Sequence, residues 1–92
     1  MDFLLDGERI LLEALFDANA AVRVRETPMS ADQTLDEQAD GRVRLRASLP
    51  DTMQLRAWLR SFGEHVEVVS PPLLRASLAE SARAMARRYA AD

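Results

Sequence analysis

Ninety-two residues, 48% hydrophobic and 29% charged, suffice for one domain with a modest core and exclude an intrinsically disordered chain. A net charge of −3 at pH 7 excludes global attraction to nucleic acid or to an anionic membrane. The absence of cysteine excludes a disulfide framework and thiolate-ligated metal, and the single histidine, His65, cannot by itself build a histidine-rich metal site.

The first segment is ambiguous when read locally. Glu8 to Ala20 has helical spacing in Ile10, Ala14, Leu15 and Ala18, and Ala21 to Arg25 alternates like a strand. Beyond it, Gln33 to Gln38 and Arg42 to Leu49 are extended runs separated by Ala39-Asp40-Gly41, a hairpin signal because glycine accepts the positive φ of the turn. In the second run Val43, Leu45, Ala47 and Leu49 share one face, opposite Arg42, Arg44, Arg46 and Ser48, which reads as a strand buried on one side. Pro50 to Gln54 predicts a helix start, with Asp51 as cap and Gln54 completing a capping box. Leu55, Trp58, Leu59 and Phe62 follow as a single apolar stripe, and Gly63 stands where a left-handed C-terminal cap belongs. His65 to Val69 is a β-branched run that predicts the last strand. Ser70 then caps a final helix opened by Pro71 and Pro72, with Leu74, Leu78, Ala82, Met85 and Tyr89 near one face.

Phe16, Gln33, Asp40-Gly41, Leu55, Trp58-Leu59, Phe62-Gly63, Val66-Glu67-Val68 and Pro72-x-Leu74-Arg75 follow one another in an order and spacing that resemble the C-terminal extension (WCX) domain of WYL-domain helix-turn-helix transcriptional regulators. The resemblance spans Arg9 to Tyr89 within a single domain of residues 1–92 and resolves the first segment. It implies a strand from Arg9 to Phe16, with Ile10, Leu12, Ala14 and Phe16 on one face. It also implies a short helix from Ala18 to Glu26, capped by Asp17 and ended by Thr27-Pro28. The implied fold is α+β: a ferredoxin-like β-α-β-β-α-β antiparallel sheet with helices on one face, plus a C-terminal helix.

No element of catalytic machinery emerges. There is no serine elbow, no glycine-rich phosphate loop and no paired-histidine spacing, and adjacent Asp36 and Glu37 on a strand point to opposite faces. Acylphosphatases share the fold, but the loop after Phe16 lacks their arginine and glycine, so no enzyme is expected. No cofactor is expected either. Trp58-Leu59 is not the Trp-Tyr-Leu motif of the family's sensor domain, and Trp58 reads as a core residue of its helix. His65 reads as solvent-facing or at a strand edge, with no partner for a pH switch.

The sharpest local feature is Arg42, Arg44 and Arg46, a basic stripe about 13 Å long at ~3.3 Å per residue. As a site it would hold phosphates of a nucleotide or of single-stranded nucleic acid, with Arg23 and Arg25 as further ligand-binding candidates. Against this stands cross-strand pairing with Glu13, Asp36 and Glu67, and no aromatic interleaves the stripe. All twelve basic residues are arginine, beside fifteen alanines, a bias that fits a high-GC genome better than a demand for guanidinium chemistry.

The resemblance implies a non-enzymatic regulatory module of a bacterial WYL-type regulator, a homodimer sensing a nucleotide or nucleic-acid effector. The helix-turn-helix that reads DNA is not recognisable in these residues. The alternatives are an ACT-like small-molecule-binding dimer and a purely structural oligomerisation domain. No apolar run approaches a membrane span. Met1-Asp2 opens acidic before the short Phe3-Leu4-Leu5, so no secretory signal is expected and the expected location is cytoplasmic.

Overall fold

A computed structural model describes residues 8–90. The readings of the opening residues, as neither a secretory signal nor a DNA-reading helix, lie outside the described residues. The element order is β1 (Arg9–Phe16), α1 (Ala18–Glu26), β2 (Thr34–Glu37), β3 (Val43–Pro50), α2 (Met53–Arg60), a 3-10 turn (Gly63–His65), β4 (Val66–Ser70) and α3 (Pro72–Tyr89). The strands form one open antiparallel sheet in the order β2-β3-β1-β4.

β1 settles the ambiguity of the first segment. It lies between β3 and β4, and its burial alternates: Leu12, Ala14 and Phe16 are fully buried, whereas Leu11 is 61% exposed. Pairing on both edges enforces a period of two on residues whose local spacing also suits a helix. A register shift between Glu13 and Ala14 marks a bulge against β4.

Together with Val43, Leu45, Ala47 and Leu49 of β3 and Val68 of β4, these residues form one apolar sheet face. It is covered by Ala21 and Val24 of α1, Leu55 and Leu59 of α2, and Phe62. Alanine at the contact lets α1 sit close to the sheet. Phe62 stacks edge-on against Phe16 at 5.0 Å and against Trp58 at 4.7 Å between ring centroids, joining sheet and helix by aromatic contact. Trp58 is only partly buried, so it packs against the core from the rim.

The caps differ from the sequence reading, each for a chemical reason. The Asp17 side chain makes no cap hydrogen bond, because its carboxylate is taken by His65. At α2 the cap is Thr52, whose Oγ1 accepts the Leu55 N–H at 3.0 Å. Asp51 instead holds Arg56 in a two-pronged pair of 3.0 and 2.8 Å, and Arg56 also donates to Ser77 of α3. A guanidinium offers Asp51 two charge-assisted bonds where a cap offers one neutral donor. Gly63 does have a left-handed φ of +58°, but α2 ends before it, at Arg60, and Gly63 opens the 3-10 turn. Ser70 pairs with Glu13 at the end of β4, leaving Pro71 at the N-cap of α3.

β2 is shorter than the run that predicted it. The Gln33 side chain accepts the Met29 N–H at 2.8 Å and donates to the Val24 carbonyl, tying the loop to α1 before the strand begins. The Asp40-Gly41 turn forms as expected, with Gly41 at φ +90° and Asp40 accepting the Arg42 N–H. α3 departs most from expectation. Leu74 is buried and Leu78 packs on the core, but every residue from Ala82 to Tyr89 is exposed. The apolar face of this helix therefore docks only through its first half.

Candidate functional site

Among the described residues the helices pack on the apolar face of the sheet, and the other face presents the arginines. Alternation along β3 sends Val43, Leu45 and Ala47 inward, so Arg44 and Arg46 point the other way, with Arg42 just ahead of the strand. Their neighbours follow from register: Arg46 lies between Glu13 and Thr34, and Arg44 between Leu15 and Asp36.

The stripe is paired. Arg44 Nη1 lies 2.9 Å from a Glu13 carboxylate oxygen that Arg46 approaches to 4.0 Å. Arg42 binds Asp40 at 2.9 Å and Glu67 at 3.1 Å, and Glu67 in turn binds Arg75 of α3 at 2.8 Å. The Arg75 and Arg42 guanidiniums hold the Glu67 carboxyl below the usual range. The Arg42 backbone N–H, and after it the Arg42 guanidinium, hold the Asp40 carboxyl below the usual range. Among the described residues the buried Arg44 Nε has no hydrogen-bond partner. These chains of charge tie the β2-β3 turn, β1, β4 and α3 together across the open face.

Arg23 and Arg25 do not join the stripe. Both lie on α1, which covers the opposite side of the sheet. Arg25 reaches Glu37 at 3.9 Å, at the β2 edge, while Arg23 lies over the Phe62 ring, 4.4 Å from its centroid. The five candidate arginines thus divide into a sheet-face group of three and two separate positions on a helix.

His65 has the partner that the sequence did not reveal. Its Nδ1 is 2.9 Å from Asp17 Oδ2, and the Asp17 N–H donates to the His65 carbonyl at 3.0 Å. Forty-eight positions separate them, so only the pairing of β1 with β4 brings them together. The hydrogen bond that the His65 ring donates to the Asp17 carboxylate raises the imidazole pKa above its ordinary 6.5. The bond's contribution to stability is fully present below that ordinary value and is lost as pH rises through the raised folded value. An NMR titration of the His65 ring is expected to show a midpoint above 6.5 that falls back toward it in Asp17→Asn. An unchanged midpoint in the variant would refute the Asp17 assignment.

Among the described residues no cluster of three or more His, Asp or Glu could hold a metal ion. Nor is any described helix long and apolar enough to cross a membrane. A family profile described as WCX domain matches residues 8–86. No curated protein matches the chain.

Proposed function

The chain belongs to the WCX domain family, and from that premise we propose that it is a non-enzymatic regulatory module of a bacterial, cytoplasmic WYL-type transcriptional regulator. Its first task is self-association. The observation that carries this is the outer half of α3, where Met85 is 58% and Tyr89 84% exposed on a helix otherwise rich in alanine. Small residues let a second helix approach closely, and a tyrosine is a favoured interface anchor. The finer fold assignment, a ferredoxin-like split β-α-β-β-α-β with an added helix, is supported by the strand order β2-β3-β1-β4.

Effector sensing through Arg42, Arg44 and Arg46 is the second task we assign. In its favour are a sheet face that no described helix covers and an Arg44 Nε donor without an acceptor among the described residues. A phosphate-bearing effector, either a nucleotide or single-stranded nucleic acid, would have to displace Glu13 and Glu67 from these guanidiniums, which makes its binding weak and strongly salt-dependent. DNA reading itself falls to a different part of such regulators.

Two measurements test these assignments. Light scattering across a concentration series is expected to show a dimer that becomes monomeric in Met85→Asp/Tyr89→Asp with its thermal midpoint little changed. A monomer at every concentration removes the self-association reading. Fluorescence anisotropy with labelled single-stranded oligonucleotides is expected to show saturable binding that salt weakens. Arg44→Glu should cost it about tenfold or more, the effect of losing one charge-assisted contact. No binding at either low or moderate salt would leave a dimerisation module alone.

A further inference from the structure

We propose that the cleft between α1 and α2, on the helix-covered side of the sheet, binds a small organic acid with an apolar body, its carboxylate held by Arg23. The cleft has a volume of about 560 Å³ and is lined by Arg23, Glu26, Met29, Leu49, Leu55 and Trp58 among others. That volume lies in the range of small-molecule sites, which pair an apolar lining with a few placed polar groups. Here Leu49 and Leu55 form a buried apolar floor, partly exposed Trp58 makes an aromatic wall, and the charged groups stand at the rim.

Arg23 is suited to the polar role. Its guanidinium carbon lies 4.4 Å from the centroid of Phe62, whose ring is fixed edge-on by Phe16 and Trp58. Stacking on a fixed ring restrains the planar fork before any ligand arrives, at a side chain that lines both this cleft and the neighbouring one beside Phe62. Among the described residues Arg23 has no carboxylate partner, whereas the nearby Arg25 has Glu37. A carboxylate meeting Arg23 can be held by two parallel hydrogen bonds, with the body of the acid lying against Trp58 and Leu55.

Glu26 stands one helical turn from Arg23 on the same cleft. It would oppose a simple carboxylate but would pair with the ammonium of an α-amino acid. The shared chemistry is therefore a carboxylate on an apolar body, and the ammonium distinguishes the two sources. This site does not depend on the arginine stripe, which faces away from it.

Trp58 is the only tryptophan of the chain, so its emission reports on the cleft directly. Sodium phenylacetate and L-phenylalanine would each be titrated into the whole protein, with calorimetry as a second readout. Saturable quenching or shift is expected for at least one of them, with half-saturation on the order of a millimolar for a ligand this small. Arg23→Gln should raise that value about tenfold or more, and Arg44→Glu should leave it unchanged. Glu26→Gln should weaken L-phenylalanine and strengthen phenylacetate, and whichever probe the unaltered protein binds more tightly identifies the source. Failure of both probes to saturate overturns the proposal. So does binding that survives in both Arg23→Gln and Arg23→Lys, the second keeping the charge in case the first does not fold.

Discussion

Replacing Phe16 by alanine is expected to lower the thermal unfolding midpoint by about 15–30 °C, the largest effect of any single side chain in the molecule. Phe16 is fully buried at the end of the central strand and meets both Phe62 and Trp58. Truncation removes the ring's transfer energy, leaves a cavity under α2 and dissolves the aromatic cluster, at a cost of about 3–5 kcal/mol. A domain of this length has roughly 5–14 kcal/mol of total stability, so much of the margin goes with one ring. Circular dichroism melting checks the expectation, with Phe16→Leu as the conservative comparison. A fall of only a few degrees for the alanine variant would mean that the core closes over the gap.

The second large effect is expected at α3. Leu74 is 1% exposed and fixes the first turn of this helix against the core. Leu74→Ala should cost about 2–3 kcal/mol, the lower part of the usual range, because an edge helix can settle into the space. The loss should be local as well as global. Amide exchange along Pro72–Tyr89 is expected to speed up more than exchange in β1 or β3, since α3 is docked only through its first half. Met85→Ala and Tyr89→Ala should change monomer stability by no more than about 0.5 kcal/mol, as expected for surface positions. Equal destabilisation by all three would mean that the outer half of α3 packs on its own domain.

The contrast within α3 also separates two kinds of apolar residue that a sequence presents alike. Leu74 and Tyr89 both fall near one helix face, yet one anchors the fold and the other lies in solvent. The helix runs for about 27 Å, at 1.5 Å per residue, and continues well past Leu78, its last contact with the core. Periodicity reports which side of a helix is apolar, not how far the partner surface extends.

The arginines teach a related lesson. That Arg44 and Arg46 share a face was legible from strict alternation in β3, and so were Glu13 and Glu67 as candidate partners. That Arg42 is held by Asp40 and Glu67 together, and Glu67 by Arg75, required the register of three strands and the placement of α3. Arg23 and Arg25 could not be sorted from sequence, because helix α1 sends them to different neighbours, an aromatic ring and a strand edge. His65 read as having no partner and Asp17 as a helix cap, because the β1-β4 pairing that joins them is not written in local spacing.

By itself the sequence determined the elements: the hairpin at Asp40-Gly41, the amphipathic β3 and α2, the proline-opened α3, and a family whose pattern assigned Arg9–Phe16 to a strand. Those are properties of spacing and of local backbone preference, and they are written along the chain. Only the tertiary structure decided which carboxylate each arginine meets, that Asp17 and Asp51 serve pairs rather than caps, and where the docked part of α3 ends. Asp51 and Asp40 meet arginines only five and two residues away, whereas Asp17 meets His65 and Arg42 meets Glu67 across long stretches of chain. Strand pairing brings those distant groups within a few ångströms, and sequence spacing carries no measure of that distance.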